Sequence, residues 1–197
     1  GEEFHYSNMA FDVLADVDDK VSGQSYEDYV KENILLTLNM YESSLYQPEI
    51  KNTFRASPHT GNPHAVSTLN PYNRRHAPSS TLNSSTIEFA NWSIANLLLG
   101  NFKDKRILKP EAHSLLMSPT FVTDKEKNYA VGLSWFIGPY KDVSLIMHSG
   151  GDLGYRSNLT MIPASKTGIV LLANYDETPI SDINFKVLDI LLEENKK

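Results

Sequence analysis

The sequence predicts an α+β fold: an antiparallel sheet with a packed C-terminal helix, joined to a helical subdomain. Three observations carry this. Apolar residues recur at three- and four-residue spacing over Met9–Val21, Ser25–Met40 and Ser85–Leu99, the period of amphipathic helices. Four strand-like runs, Val131–Ile137, Ser144–His148, Tyr155–Ile162 and Gly168–Asn174, are separated by short connections, which favour antiparallel hairpins over crossovers. A last helical pattern runs from Ser181 to Glu194. Residues 1–125 are therefore expected to be mainly helical, with a long irregular loop at 46–78, and residues 126–197 to form the strands and the terminal helix.

Each element has a local reason. In the first helix Phe11, Leu14, Val17 and Val21 repeat with helical period, and Gly23 is a suitable stop. Ser25 caps the second, with Asp28 in its first turn and Tyr26, Tyr29, Val30, Ile34 and Leu38 on its apolar face. Asn39 is expected in the left-handed conformation at its end. Five prolines interrupt 46–78, with turn signals at Gly61-Asn62 and Asn70-Pro71, so this stretch reads as a long excursion without regular structure. Ser85 followed by Glu88 is a capping box opening a helix that stops at Gly100, with Trp92 directed to the core. Pro110 suits the first position of a short helix to Met117. In the terminal helix Ile183, Val187, Leu188, Ile190 and Leu191 are expected on the buried side.

Composition excludes several functions. The 197 residues carry a net charge of -6 and 41% hydrophobic residues, an ordinary globular balance with no basic surplus for nucleic acid. The only adjacent arginine pair, Arg74-Arg75, reads as solvated loop. With no cysteine, disulfides and thiolate metal sites are ruled out. The longest apolar stretches, such as Ile169–Ala173, are far too short to span a bilayer. His59, His64 and His76 lie in the excursion at a spacing that matches no metal site, so they are expected to be surface histidines, and no metal or cofactor is expected.

One stretch stands out chemically. Met147-His148-Ser149-Gly150-Gly151-Asp152-Leu153-Gly154-Tyr155 reads as a glycine-dense turn between two strands. It places an imidazole and a hydroxyl directly before two residues whose backbone a ligand can approach closely. Tyr6-Ser7-Asn8 at a helix start, Ala77–Leu82, and Gly132-Leu133-Ser134-Trp135 ahead of His148-Ser149-Gly150-Gly151 occur in a fixed order. That ordered set resembles the serine β-lactamase and penicillin-binding-protein-like family, in the branch of class C β-lactamases, D-alanyl-D-alanine carboxypeptidases and related esterases. The resemblance covers roughly residues 1–45 and 78–195 and leaves the excursion unmatched.

The resemblance implies a set of roles. Tyr6 would be the general base or proton relay, and Asn8 would hydrogen-bond the substrate amide and steady the nucleophile's lysine. His148 would stand where the family's third motif carries lysine, Ser149 would offer its hydroxyl to substrate, and Gly150 would let the backbone approach. Gly151 would supply an N–H to an oxyanion hole. A literal Lys166-Thr167-Gly168 also occurs, and is read instead as a surface hairpin turn.

The main departure is the nucleophile. No serine is followed three residues later by lysine, and Gly-x-Ser-x-Gly is absent too. By resemblance the chain looks like the C-terminal part of a family domain, an incomplete β-lactamase/transpeptidase-like fold. A tyrosine phenol ordinarily titrates near 10 and serves as a base at neutral pH only beside positive charge, which the missing lysine would supply. The expectation is a β-lactamase-like serine hydrolase, acting on a D-amino-acid peptide, β-lactam or ester, that is inactive as this chain alone. The alternative is a non-catalytic descendant that binds peptides or cell-wall fragments; a metal-binding domain is a weaker third. Partners would be a small-molecule or peptide substrate, and a second copy of the chain covering an exposed sheet or apolar face. The resemblance also implies a periplasmic or extracellular location.

Overall fold

The computed structural model describes residues 2–62, 65–67 and 72–194; His64 and Asn70-Pro71 lie outside them. The first helix, α1 (Asn8–Ser22), begins where the Ser7 hydroxyl accepts the Ala10 N–H at 3.3 Å, and ends at Gly23 with φ 74°. None of its residues is buried: Leu14, Val17 and Val21 are 57%, 51% and 83% exposed. The apolar period that defines the helix thus faces solvent.

The second helix, α2 (Tyr26–Val30), is capped by Ser25, whose hydroxyl accepts the Asp28 N–H and donates to the Asp28 carboxylate at 2.7 Å. It continues into a π turn, Lys31–Leu35, closed by Leu36 N–H donating to Lys31 O at 2.9 Å. The extra residue in that turn rotates the buried face, so Leu35 joins Leu38 and Met40 in the interior. Asn39 takes φ 57°.

The excursion is docked at both ends. Among its described residues the regular pieces are single 3-10 turns and a two-residue pair of strands, β1 (His59–Thr60) and β2 (Ala65–Val66). Arg74 pairs with Glu27 at 2.6 Å and lies over the Tyr46 ring, and His76 Nδ1 meets Asp12 at 2.8 Å. Arg74 thus stays in the exposed loop, with 62% of its side chain in solvent, and its pair with Glu27 ties that loop to α2. His59 joins the far side of the molecule, its N–H donating to Asn174 O. Among the described residues no histidine–carboxylate cluster is arranged to hold a metal ion.

The helix α3 (Thr86–Leu97) starts at Ser85, whose hydroxyl accepts the Glu88 N–H. The Glu88 carboxylate does not complete the capping box; it takes the Glu42 N–H at 2.9 Å and the Ser43 hydroxyl at 2.6 Å, bracing the segment after α2. A small hairpin follows, β3 (Asn101–Phe102) with β4 (Lys105–Arg106), and then α4 (Pro110–Met117).

The main sheet is a six-stranded antiparallel meander. Its strands are β5 (Phe121–Asp124), β6 (Tyr129–Val131), β7 (Phe136–Tyr140), β8 (Val143–Asp152), β9 (Tyr155–Ile162) and β10 (Thr167–Ala173), in spatial order β10-β9-β8-β7-β6-β5. Two sequence expectations change here. The run Val131–Ile137 is two strands joined by a tight turn in which Gly132 N–H donates to Trp135 O at 2.8 Å and Ser134 has φ 74°. The glycine-dense stretch is not a turn but the end of β8; the turn is only Leu153-Gly154, between Asp152 and its partner Tyr155. Gly150 and Gly151 stay extended because β9 pairs with them through Ser157 and Arg156.

Both sheet faces are covered. One face packs Trp135, Ile137, Ile146, Leu159 and Met161 against Phe89, Trp92 and Leu97 of α3. The other packs Leu145, Ile162 and Ile169 against Leu188 of α5 (Ile180–Glu194). Phe89 and Trp92 also pack on the cluster of Leu35, Leu38, Met40 and Phe102, joining the helical part to the sheet. In α5 the buried side is Ile180, Asn184 and Leu188, flanked by Phe185 and Leu191. Ile183 and Ile190 are exposed, against expectation. No helix among the described residues is long and apolar enough to cross a membrane.

Candidate active site

The site is built on the free edge of β8. Its ladder with β7 ends at Phe136↔Met147, while its ladder with β9 continues to Asp152↔Tyr155. From His148 to Asp152, therefore, one backbone edge has no strand partner among the described residues. Backbone N–H and C=O groups there are available to a ligand without breaking the sheet.

His148 stands at the start of this edge in an aromatic cluster. Its ring centroid is 5.6 Å from Phe136 and 6.4 Å from Tyr6; Tyr6 stacks on Phe136 at 6.4 Å, and Phe4 meets Phe136 edge-on at 6.2 Å. The segment just before α1 is thus laid across the sheet by ring packing, and the Ser7 cap fixes where it turns into the helix. Burial holds the His148 imidazole below its usual range, with a backbone contact at Ser149 working in the opposite sense. Its resting form at pH 7 is neutral, with a lone pair free to accept a proton.

Ser149, Gly150 and Gly151 line a cleft of about 380 Å³ with Arg156 and the start of α5. A second cleft of about 440 Å³ includes Phe136, His148, Ser149, Asn158 and Asn184. Ser149 belongs to both, so the two adjoin along β8. Asn8 opens α1, is exposed, and makes no side-chain hydrogen bond among the described residues. The structure thus brings Tyr6 to His148 and gathers Ser149–Gly151 in one cleft, but it does not link Asn8 to either group. Lys166 sits at φ 52° in the exposed turn between β9 and β10 and lines neither cleft.

Sequence reasoning missed Arg156. Its guanidinium Nη1 donates to Asp152 O at 3.0 Å and Tyr155 O at 2.8 Å. It also lies over Gly151, where an added Cβ would come within 3.3 Å of Nη1. The glycine therefore makes room for a fixed cation beside the free edge. Recognising Leu153-Gly154 as a two-residue hairpin turn would have placed Arg156 opposite Gly151. Also missed were Phe136 and the Ser80 hydroxyl, which donates to Asp152 at 2.7 Å and ties the Ala77–Leu82 stretch to the end of β8.

Known proteins share the sequence pattern and the fold. Protein flp of Staphylococcus aureus is 33% identical over 177 residues, 88% of this chain and 34% of its own length. The octameric penicillin-binding protein homologue from Pyrococcus abyssi superposes with a TM-score of 0.85 at 26% identity, covering 98% of this chain and 43% of that one. A class C β-lactamase from Rhodobacter sphaeroides, at 15% identity and a TM-score of 0.78 over 95% of this chain and 60% of its own, shares the fold. The chain spans about a third of the length of the curated relative, and its fold is a partial β-lactamase/transpeptidase-like fold. The family model described as Beta-lactamase matches residues 1–190, and the chain belongs to the Beta-lactamase family.

Proposed function

We propose that this chain forms one wall of the cleft of a β-lactamase-like serine hydrolase that transfers or hydrolyses an acyl group from an amide or ester. The observation that carries the reading is the approach of Tyr6 to His148, 6.4 Å between ring centroids, beside the unpartnered edge of β8. In this reading the serine nucleophile comes from a Ser-x-x-Lys segment that the 197 residues do not contain. Tyr6 relays the nucleophile's proton, with the neutral His148 beside it. Asn8 hydrogen-bonds the substrate amide, Ser149 hydrogen-bonds the substrate, and Gly150 leaves room for it. The Gly151 N–H stabilises the developing oxyanion. A neutral imidazole where the family carries lysine attracts a substrate carboxylate weakly, which favours an esterase or peptidase role over a penicillin-binding one. Without an activated nucleophile the isolated chain is inactive.

The test is kinetic, on a protein that presents this sequence together with a Ser-x-x-Lys segment. Tyr6→Phe and His148→Ala should each lower kcat by about 10²- to 10⁴-fold, the span of a lost proton-transfer group. Ser149→Ala should act mainly on KM. Unchanged kcat in both of the first two variants refutes the assignment. The second reading is a non-catalytic protein that binds peptides or cell-wall fragments in the same cleft, where the free edge of β8 offers backbone groups that need no nucleophile to hold a ligand. Binding without turnover in the same protein would select it. Self-association is part of the proposal, supported by the exposed apolar residues of α1 and by the octameric state of the Pyrococcus abyssi homologue.

A further inference from the structure

The hairpin of β3 and β4 concentrates positive charge in an acidic protein. Residues 101–109 hold Lys103, Lys105, Arg106 and Lys109 against the single Asp104, a net +3 in a chain of -6. The four cations are exposed. Two leucines at the end of α3 are exposed beside them, Leu98 at 37% and Leu99 at 51%. Arg106 Nη1 donates to Leu99 O at 3.1 Å and Leu108 O at 3.3 Å, so the leucine turn and the basic hairpin form one unit. Leu99 has φ 55°, a conformation costly for a residue with a Cβ. It is held there with half its surface in water.

We infer that this hairpin is a docking surface for an anionic lipid bilayer, the lysines meeting headgroup charge and Leu98 and Leu99 entering the interface. Cations around exposed aliphatic side chains match a surface that is charged outside and apolar beneath. Nucleic acid would use the charge but has no need of the leucines. A protein partner would need about 800 Å² on each side, more than nine residues at a hairpin tip present. Lipid needs no such area, because each cation near an anionic surface acts nearly independently. The hairpin lines neither cleft at β8, so the inference does not depend on the catalytic proposal.

The experiment is co-sedimentation with vesicles of phosphatidylcholine alone and of phosphatidylcholine mixed with phosphatidylglycerol. Binding is expected only to the anionic vesicles and should weaken between about 50 mM and about 300 mM salt. The combined variant K103S/K105S/K109S, which leaves the Arg106 contacts intact, should lower partitioning by about 10²-fold, at about fivefold per cation. Leu99→Gly accepts the same φ and should lower it by about tenfold, with cooperative melting by circular dichroism retained in both variants. Three outcomes overturn the inference: no binding to anionic vesicles at low salt, equal binding to the zwitterionic ones, or undiminished binding by the folded triple variant. Capture of a free acidic polypeptide without vesicle binding would also overturn it, making the hairpin a protein contact.

Discussion

Gly154→Ala is a sharp test of how the excursion is fastened over the β8–β9 turn. Gly154 has φ +77°, and a Cβ built there would lie 2.8 Å from Pro58 Cα and 2.9 Å from the His59 nitrogen. Both neighbours are backbone, so the clash cannot be relieved by swinging a side chain. The left-handed conformation alone costs an alanine about 1–2 kcal/mol. Displacing residues 56–59 would also threaten three hydrogen bonds: His59 N–H to Asn174 O, Asp176 N–H to His59 O, and the Tyr155 hydroxyl to Ala56 O. At about 1 kcal/mol each, the total is about 4–5 kcal/mol. Urea denaturation should show the lower midpoint, and limited proteolysis should cut faster within residues 47–62. Pro58→Gly removes the Pro58 Cβ, the atom that the added Cβ would approach most closely, so the double variant should recover part of the loss beyond the two single effects. A loss below about 1 kcal/mol with unchanged proteolysis would contradict this, since αL strain alone sets that floor.

Two further predictions concern stability and assembly. His113 of α4 is buried against α3, with Nε2 3.2 Å from the Asn96 side-chain oxygen and, among the described residues, no partner for Nδ1. Burial holds its pKa below 6.5, so the unfolded chain binds the proton first and stability falls as pH drops below about 6.5, until the lower folded pKa is reached, at no more than about 1.4 kcal/mol per pH unit. Denaturation midpoints across that window should flatten in His113→Gln; an equal slope in the variant would contradict this. On α1, Val13 and Val17 are more than half exposed, and the chain is expected to cover this face by self-association. V13D/V17D should shift light scattering toward monomer without loss of helix, and a wild-type chain that is a cleanly melting monomer would remove the premise.

Much of the fold is legible because its signals are local. Ser25 and Ser85 cap the helices they precede, Gly23 closes α1, Asn39 takes φ 57°, and Pro110 opens α4. What was not legible depends on partners distant in sequence. Gly150 and Gly151 read as a turn because glycine weakens an isolated strand, yet pairing with Ser157 and Arg156 keeps them extended. Glu88 completes a capping box on paper, but Glu42 and Ser43 compete for its carboxylate. The apolar faces of α1 and α5 were read from period alone, which does not say whether anything packs against them; Val21 and Ile190 remain in solvent. At the candidate site the motif residues were visible in the sequence. The cation Arg156 and the ring Phe136 were not, since only strand register brings them there.

We propose these residues as one wall of an acyl-transfer site with no nucleophile of their own. Intact mass after incubation with a β-lactam and with a reactive ester tests it directly. This chain alone should show no adduct, while a protein that adds a Ser-x-x-Lys segment ahead of Tyr6 should be acylated once, on that serine. An adduct on this chain, mapped by digestion to one of its own serines, would contradict the account.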